Sequence, residues 1–202
     1  FYRMSKPKQE KHEADVYQER GLYGGAIKMT VPTRFTDMSQ FRQIPDHQEV
    51  FADAERDQSF IVELVSQTKD VSSDKIAEYH FKELAVDNRA TQMKINMQRE
   101  VTEELSNFDQ KEISGYFLHG SQLVGKFKED TCNTVDIYLL CIRIPKIETE
   151  ILISLNNPTF IHPESYSAKT SEVDATMTED YFGDLFKDIT KSFKIDNWGL
   201  FG

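Results

Sequence analysis

The side chains that could do covalent or metal chemistry are few and poorly spaced for it. Five histidines, His12, His47, His80, His119 and His162, are scattered along 202 residues, and none stands in a His-Glu-x-x-His pattern that would place two imidazoles on one helix face. Cys132 and Cys141 form neither a metal-ligand spacing nor a disulfide framework, and they fit a reducing compartment, cytosol or nucleus. There is no Gly-x-Ser-x-Gly elbow and no P-loop. The Gly24-Gly25 pair lacks the wider glycine spacing that cradles phosphate, and reads as a bulge or close backbone approach at a strand start. Carboxylates are too common here for any pair to signal acid–base catalysis. His80 lies on an apolar helical stripe and reads as a packed histidine. Cys141, inside the apolar run Ile137–Ile142, reads as a core thiol. His119 could meet another group only through the fold. No catalytic residue, bound metal or cofactor is expected.

One segment crowds polar groups around a turn: Phe41-Arg42-Gln43-Ile44-Pro45-Asp46-His47-Gln48-Glu49-Val50-Phe51. Two accounts of it stay open. In the first, an Asx turn at Asp46 orders a strand entry, and Arg42 pairs with Asp46 or Glu49 on the surface for under about 1 kcal/mol. In the second, a loop on a rigid sheet edge presents carboxylates and an amide to a basic partner.

Charge bears on that choice. The formal charge is −10 with a sequence pI near 5.0. Such a surface repels a phosphate backbone, and basic–aromatic interleaving is absent, so a nucleic-acid partner is not expected. Residues 33–66 alone carry three basic and seven acidic side chains. The longest apolar run is far shorter than the roughly 20 residues a spanning helix needs, and residues 1–20 contain no apolar signal-like stretch, so no membrane association is expected.

The elements that must position these residues follow from periodicity. Residues 1–20 read as a charged tail, with order beginning at Gly21 in a single domain over 21–202. Ile27, Met29 and Val31 alternate with Lys28 and Thr30 in a half-buried strand stopped by Pro32. Asp37 and Ser39 can cap a helical turn. Strands are expected over Gln48–Ala52, Ser59–Val65, Ile95–Val101, Ile113–Val124, Val135–Ile144 and Glu150–Leu155, the last ended by Asn156-Asn157-Pro158. One helix runs from Ser73 or Asp74 to about Asp87. A second runs from about Glu172 to Phe193 along Val173, Met177, Tyr181, Leu185, Ile189 and Phe193. Short links favour antiparallel pairing. The fold class is α+β: a mainly antiparallel β-sheet flanked by α-helices.

Several of these stretches carry a resemblance. Leu22-Tyr23-Gly24-Gly25-Ala26-Ile27, then Pro32, Phe35-Thr36-Asp37 and the whole Phe41–Phe51 segment resemble the N-terminal signature of the Mog1 family of Ran-interacting nuclear import factors. Gln58–Leu64, Tyr79–Ala85 and the closing Leu200-Phe201-Gly202 are similar to later parts of the same family. The resemblance implies an antiparallel sheet flanked by helices, an architecture shared with PsbP subunits of the oxygen-evolving complex. It implies a protein without bond-making chemistry that binds the small GTPase Ran and promotes release of its guanine nucleotide. It implies a monomer acting in nucleus and cytoplasm. The Ran-binding face it implies is acidic: Asp46, Gln48 and Glu49 match the loop and Glu63 the following strand, with Arg42 and Asp37 beside them. A further family acid falls at Ser66, which carries no charge. The alternative is a structural or assembly subunit like the PsbP proteins. A plastid-targeted version would carry an acid-poor leader, whereas residues 1–20 hold Glu10, Glu13, Asp15 and Glu19. A hydrolase or metalloenzyme built on scattered His and Asp residues is a third reading.

Overall fold

The computed structural model describes residues 15–125, 131–165, 167–173 and 178–202. Among them are ten strands and two α-helices. In chain order these are β1 (Tyr17–Leu22), β2 (Ile27–Pro32), β3 (Thr36–Asp37), β4 (Gln48–Asp53), β5 (Gln58–Ser66), α1 (Ile76–Asp87), β6 (Ala90–Glu100), β7 (Ser114–Gly125), β8 (Cys132–Ile144), β9 (Thr149–Phe160), α2 (Glu179–Ser192) and β10 (Lys194–Ile195). Every strand pair is antiparallel. The strands form two sheets, one of order β1-β2-β10 and one of order β3-β4-β5-β9-β8-β7-β6.

Alternation along β8 explains the layering. Ile137, Leu139 and Cys141 face α1 and meet Ile76, Ala77 and Phe81. Tyr138, Leu140 and Ile142 face the other way, against Phe182, Leu185, Phe186 and Ile189 of α2 and Leu22, Ile27 and Met29 of the small sheet. A strand covered on both faces reads as an unbroken apolar run, as this one does. Gly120 of β7 passes beneath α1, and a Cβ there would lie 2.6 Å from both Phe81 Cζ and Lys94 O.

Three expectations are corrected. Among the described residues, strand structure is already present from Tyr17, before Gly21, because β1 pairs with β2 from Tyr17↔Pro32 to Leu22↔Ile27. Just before it, Asp15 accepts from Arg34 Nε at 2.9 Å and from the Tyr181 hydroxyl. The rest of the presumed tail, residues 1–14, lies outside the described residues. β9 does not stop at Asn156 but continues through Pro158 to Phe160. The ladder with β5 ends at Ser59↔Asn156, so Pro158 pairs with β8 only, beyond the end of the other ladder, where a proline is tolerated. α2 begins at Glu179, where the Thr178 side chain accepts from Tyr181 N at 3.3 Å. Val173 stands outside the helix and exposed, and Met177 lies outside the described residues.

The outer strands of the large sheet differ in length. β3 has two residues. β6 has eleven, pairs among the described residues with β7 alone, and changes register between Ala90 and Gln92 and again between Ile95 and Met97.

Candidate functional site

The Phe41–Phe51 segment leads into the sheet at a corner. Asp37 ends β3 and its Oδ1 accepts from Ser39 N at 2.8 Å, capping a 3₁₀ turn over Met38–Gln40. Pro45 to Gln48 is a backbone turn closed by Gln48 N donating to Pro45 O at 2.9 Å. The Asx turn expected at Asp46 is not what closes it, and the Asp46 side chain stands exposed. Arg42 is exposed too, and among the described residues its guanidinium pairs with neither Asp46 nor Glu49.

The strands then fix the carboxylates. β4 and β5 pair with Gln48 opposite Glu63 and Glu49 opposite Val62. Residues directly opposite share a face, so Gln48 and Glu63 lie on one side of the hairpin and Glu49 on the other, with Val62. β3 reaches only Phe51 and Ala52, leaving the start of β4 as an outer edge. The resemblance implies one patch that holds Asp46, Glu49 and Glu63. The structure instead distributes them around the open end of the β4–β5 pair.

Tyr23, which is not among the acidic candidates, ties into this corner. Its backbone N–H donates to Glu49 Oε1. Its hydroxyl lies 3.0 Å from His47 O and 2.9 Å from Val62 O. On the other face, Glu63 Oε1 accepts from Gln48 Nε2 at 3.2 Å and lies 3.3 Å from His47 Nε2. Partial burial raises the Glu49 carboxyl above its ordinary value, opposed by the Tyr23 N–H and assisted by the nearby Asp37 charge. Burial also pushes the Tyr23 phenol up, with Glu49 and Glu63 adding to it. The Gly24-Gly25 pair marks an unusual backbone path in the sequence, but not the role of Tyr23. Tyr23, Gly24 and Gly25 have φ of 50°, 66° and 90°. The two glycines permit that path, and a tyrosine in it bears about 1 kcal/mol of strain.

The remaining polar clusters lie elsewhere. His80, Cys141 and Glu150 have potential ligand atoms within 4.8 Å of one another. However, Glu150 already accepts from Arg143 Nη2 at 2.7 Å and lies 2.6 Å from His80 Nε2. A guanidinium on the same carboxylate disfavours a cation, and the packed-histidine reading of His80 matches its burial. Burial pushes the Cys141 thiol well up, with Glu150 assisting, so it has little thiolate character. His119 stacks on Tyr138 with ring centroids 4.4 Å apart, between Asp136 at 3.5 Å and Glu179 at 3.1 Å. It lines a cleft of about 480 Å³ between α2 and the β6–β7–β8 side of the sheet, which none of the six predicted site residues reaches.

Comparison with known proteins places this architecture. The profile described as Ran-interacting Mog1 protein matches residues 20–158. The chain belongs to the Ran-interacting Mog1 family. It is 36% identical over 188 residues to the Ran guanine nucleotide release factor of Danio rerio, covering 91% of this chain and 99% of that one. It is 34% identical over 142 residues to the nuclear import protein mog1 of Schizosaccharomyces pombe, covering 68% and 75%. The solved structure of the Saccharomyces cerevisiae Ran-binding protein Mog1p superposes with a TM-score of 0.70 at 24% identity, over 94% of this chain and all of that one. The PsbP protein of Synechocystis shares the fold at a TM-score of 0.51 and 16% identity, over 91% and 94%. The α+β class, an antiparallel Mog1/PsbP-like sheet with flanking helices, is thus the observed one. The Mog1 signature at Leu22–Ile27 and Phe41–Phe51 builds the corner just described.

Proposed function

We propose that this chain binds the small GTPase Ran and promotes release of its guanine nucleotide in support of nuclear protein import. It does so as a regulator without bond-making chemistry, as a monomer in nucleus and cytoplasm. Membership of the Mog1 family supports the reading, together with the names borne by its relatives. The contact we assign is the open end of β4–β5: Asp46, Gln48, Glu49 and Glu63, flanked by Asp37 and Arg42. The observation that carries this assignment is that both strand carboxylates are anchored through one oxygen while Asp46 stands exposed beside them.

The mechanism follows from linkage. A release factor shifts the nucleotide equilibrium only by binding the nucleotide-free GTPase more tightly than the loaded form. Carboxylates that capture lysine or arginine near the phosphate site withdraw those cations from the nucleotide. Exposed Asp46 acts mainly on association rate and salt dependence, and partly buried Glu63 on dissociation.

Affinity for Ran without nucleotide, with GDP and with GTP, followed by a nucleotide-release assay, tests the reading. Asp46→Lys and Glu63→Lys should each lower affinity while melting stays near wild type. Glu49→Lys is less suitable, because it also strips the acceptor from Tyr23 N. No binding by the wild type in any state would overturn the function. Wild-type affinity in both variants would overturn the site.

A further inference from the structure

The turn at Tyr23–Gly25 takes an unfavourable conformation, and three hydrogen bonds from Tyr23 tie it to the candidate site. A tyrosine stays at φ of 50° only where its surroundings over-determine it. Two tethers do so here: the N–H to Glu49 Oε1, and the hydroxyl to the carbonyls of His47 and Val62. The first orients the Glu49 carboxylate. Its Oε2 makes no hydrogen bond or ion pair with the described residues, and it is not among their sealed polar atoms. Glu63 repeats the pattern, with Oε1 held by Gln48 and His47 and Oε2 without a partner among the described residues. The second tether ties the turn to both strands at the level where the two carboxylates emerge.

We propose that Tyr23 is a positioning residue for partner binding: it fixes the Glu49 carboxylate and the open end of the β4–β5 hairpin so that the unbonded oxygen of Glu49 meets a basic side chain without reordering. This rests on the Ran reading above and says how the same site reaches its affinity. An acidic side chain already immobilised loses less freedom when it pairs, and that saving appears as tighter binding. The partial burial and neighbouring Asp37 charge that raise the Glu49 carboxyl act in the same direction, since an arriving cation relieves both.

A double-mutant cycle tests this. Ran affinity is measured by titration calorimetry, well below the melting temperature, for wild type, Tyr23→Phe, Glu49→Gln and the double variant. Tyr23→Phe should weaken binding about threefold to tenfold, and most of that loss should vanish in the Glu49→Gln background. Equal losses in both backgrounds, or none, would overturn the positioning role while leaving Ran binding intact. Absence of wild-type binding would instead remove the Ran reading, and the proposal with it. Amide exchange gives a readout that needs no partner. The Tyr23 N–H should exchange at least about tenfold faster in Glu49→Ala and stay protected in Glu49→Gln, whose side-chain carbonyl keeps an acceptor. Unchanged exchange in Glu49→Ala would overturn the tether.

Discussion

Removing Arg143 should expose how much of the fold depends on one buried charge. Glu150 is wholly inaccessible, and its carboxylate accepts from Arg143 Nε at 2.8 Å and Nη2 at 2.7 Å. The same guanidinium donates to Val71 O at 2.8 Å and Thr68 O at 3.1 Å, closing the link between β5 and α1. Arg143→Met keeps the stem and removes all of these bonds, leaving Glu150 with His80 and Thr68. Breaking a buried pair on one side costs about 3–5 kcal/mol, because the remaining charge is uncompensated. At this chain length each kcal/mol moves the melting temperature by about 2–4 °C, so a fall of about 6–20 °C is expected. Arg143→Met with Glu150→Met removes both charges and should recover most of the loss. Urea and thermal melts followed by circular dichroism provide the measurement. A single variant within about 1 kcal/mol of wild type, or a double variant no better than the single, would refute the reasoning.

Three further outcomes are expected. Burial works to raise the Glu150 carboxyl, but hydrogen bonds from His80 and Arg143 outweigh it and hold the group below its ordinary value. Its contribution is therefore complete above the unfolded carboxylate value, near pH 4–5, and is lost as pH falls through the lower folded value. A urea series from pH 7 to 3 should show that loss, with a weaker slope for Glu150→Gln. Gly120→Ala drives a Cβ to 2.6 Å from Phe81 and from Lys94 O, and should destabilise by about 1–3 kcal/mol in the same melts. Gly183→Ala meets nothing within 4 Å inside α2 and should stabilise by about 0.5–1 kcal/mol.

Much of the architecture was legible because β-sheet burial writes a period of two into the chain. Ile27, Met29 and Val31 of β2 and the unbroken Ile137–Ile142 run of β8 declare half-buried and doubly covered strands. β1 was not legible: Tyr17 to Arg20 carry polar, mostly exposed side chains, and what holds them is a backbone ladder with β2. Pro158 misled for a related reason, since only the neighbouring strand's end makes a proline tolerable there. At the site, crowded polar residue types flagged the loop that holds Asp46 and Glu49, and the resemblance added Glu63 on the following strand. Which face each takes depends on register, fixed by Gln48↔Glu63, and no spacing states that. Tyr23 was hidden because its contribution to Glu49 is a backbone N–H, which every residue but proline possesses.

The two outer strands of the large sheet have a bearing on self-association. A long, flat, unpaired strand edge is a template on which another chain can add a strand, the first step toward aggregates. One outer strand here is too short to serve, at two residues. The other is long, but its two register changes interrupt the regular row of donors and acceptors, and Lys94 lies between them. Among the described residues, the protein thus keeps an eleven-residue edge strand, with Met93 and Met97 exposed on it, while denying an incoming strand a continuous ladder.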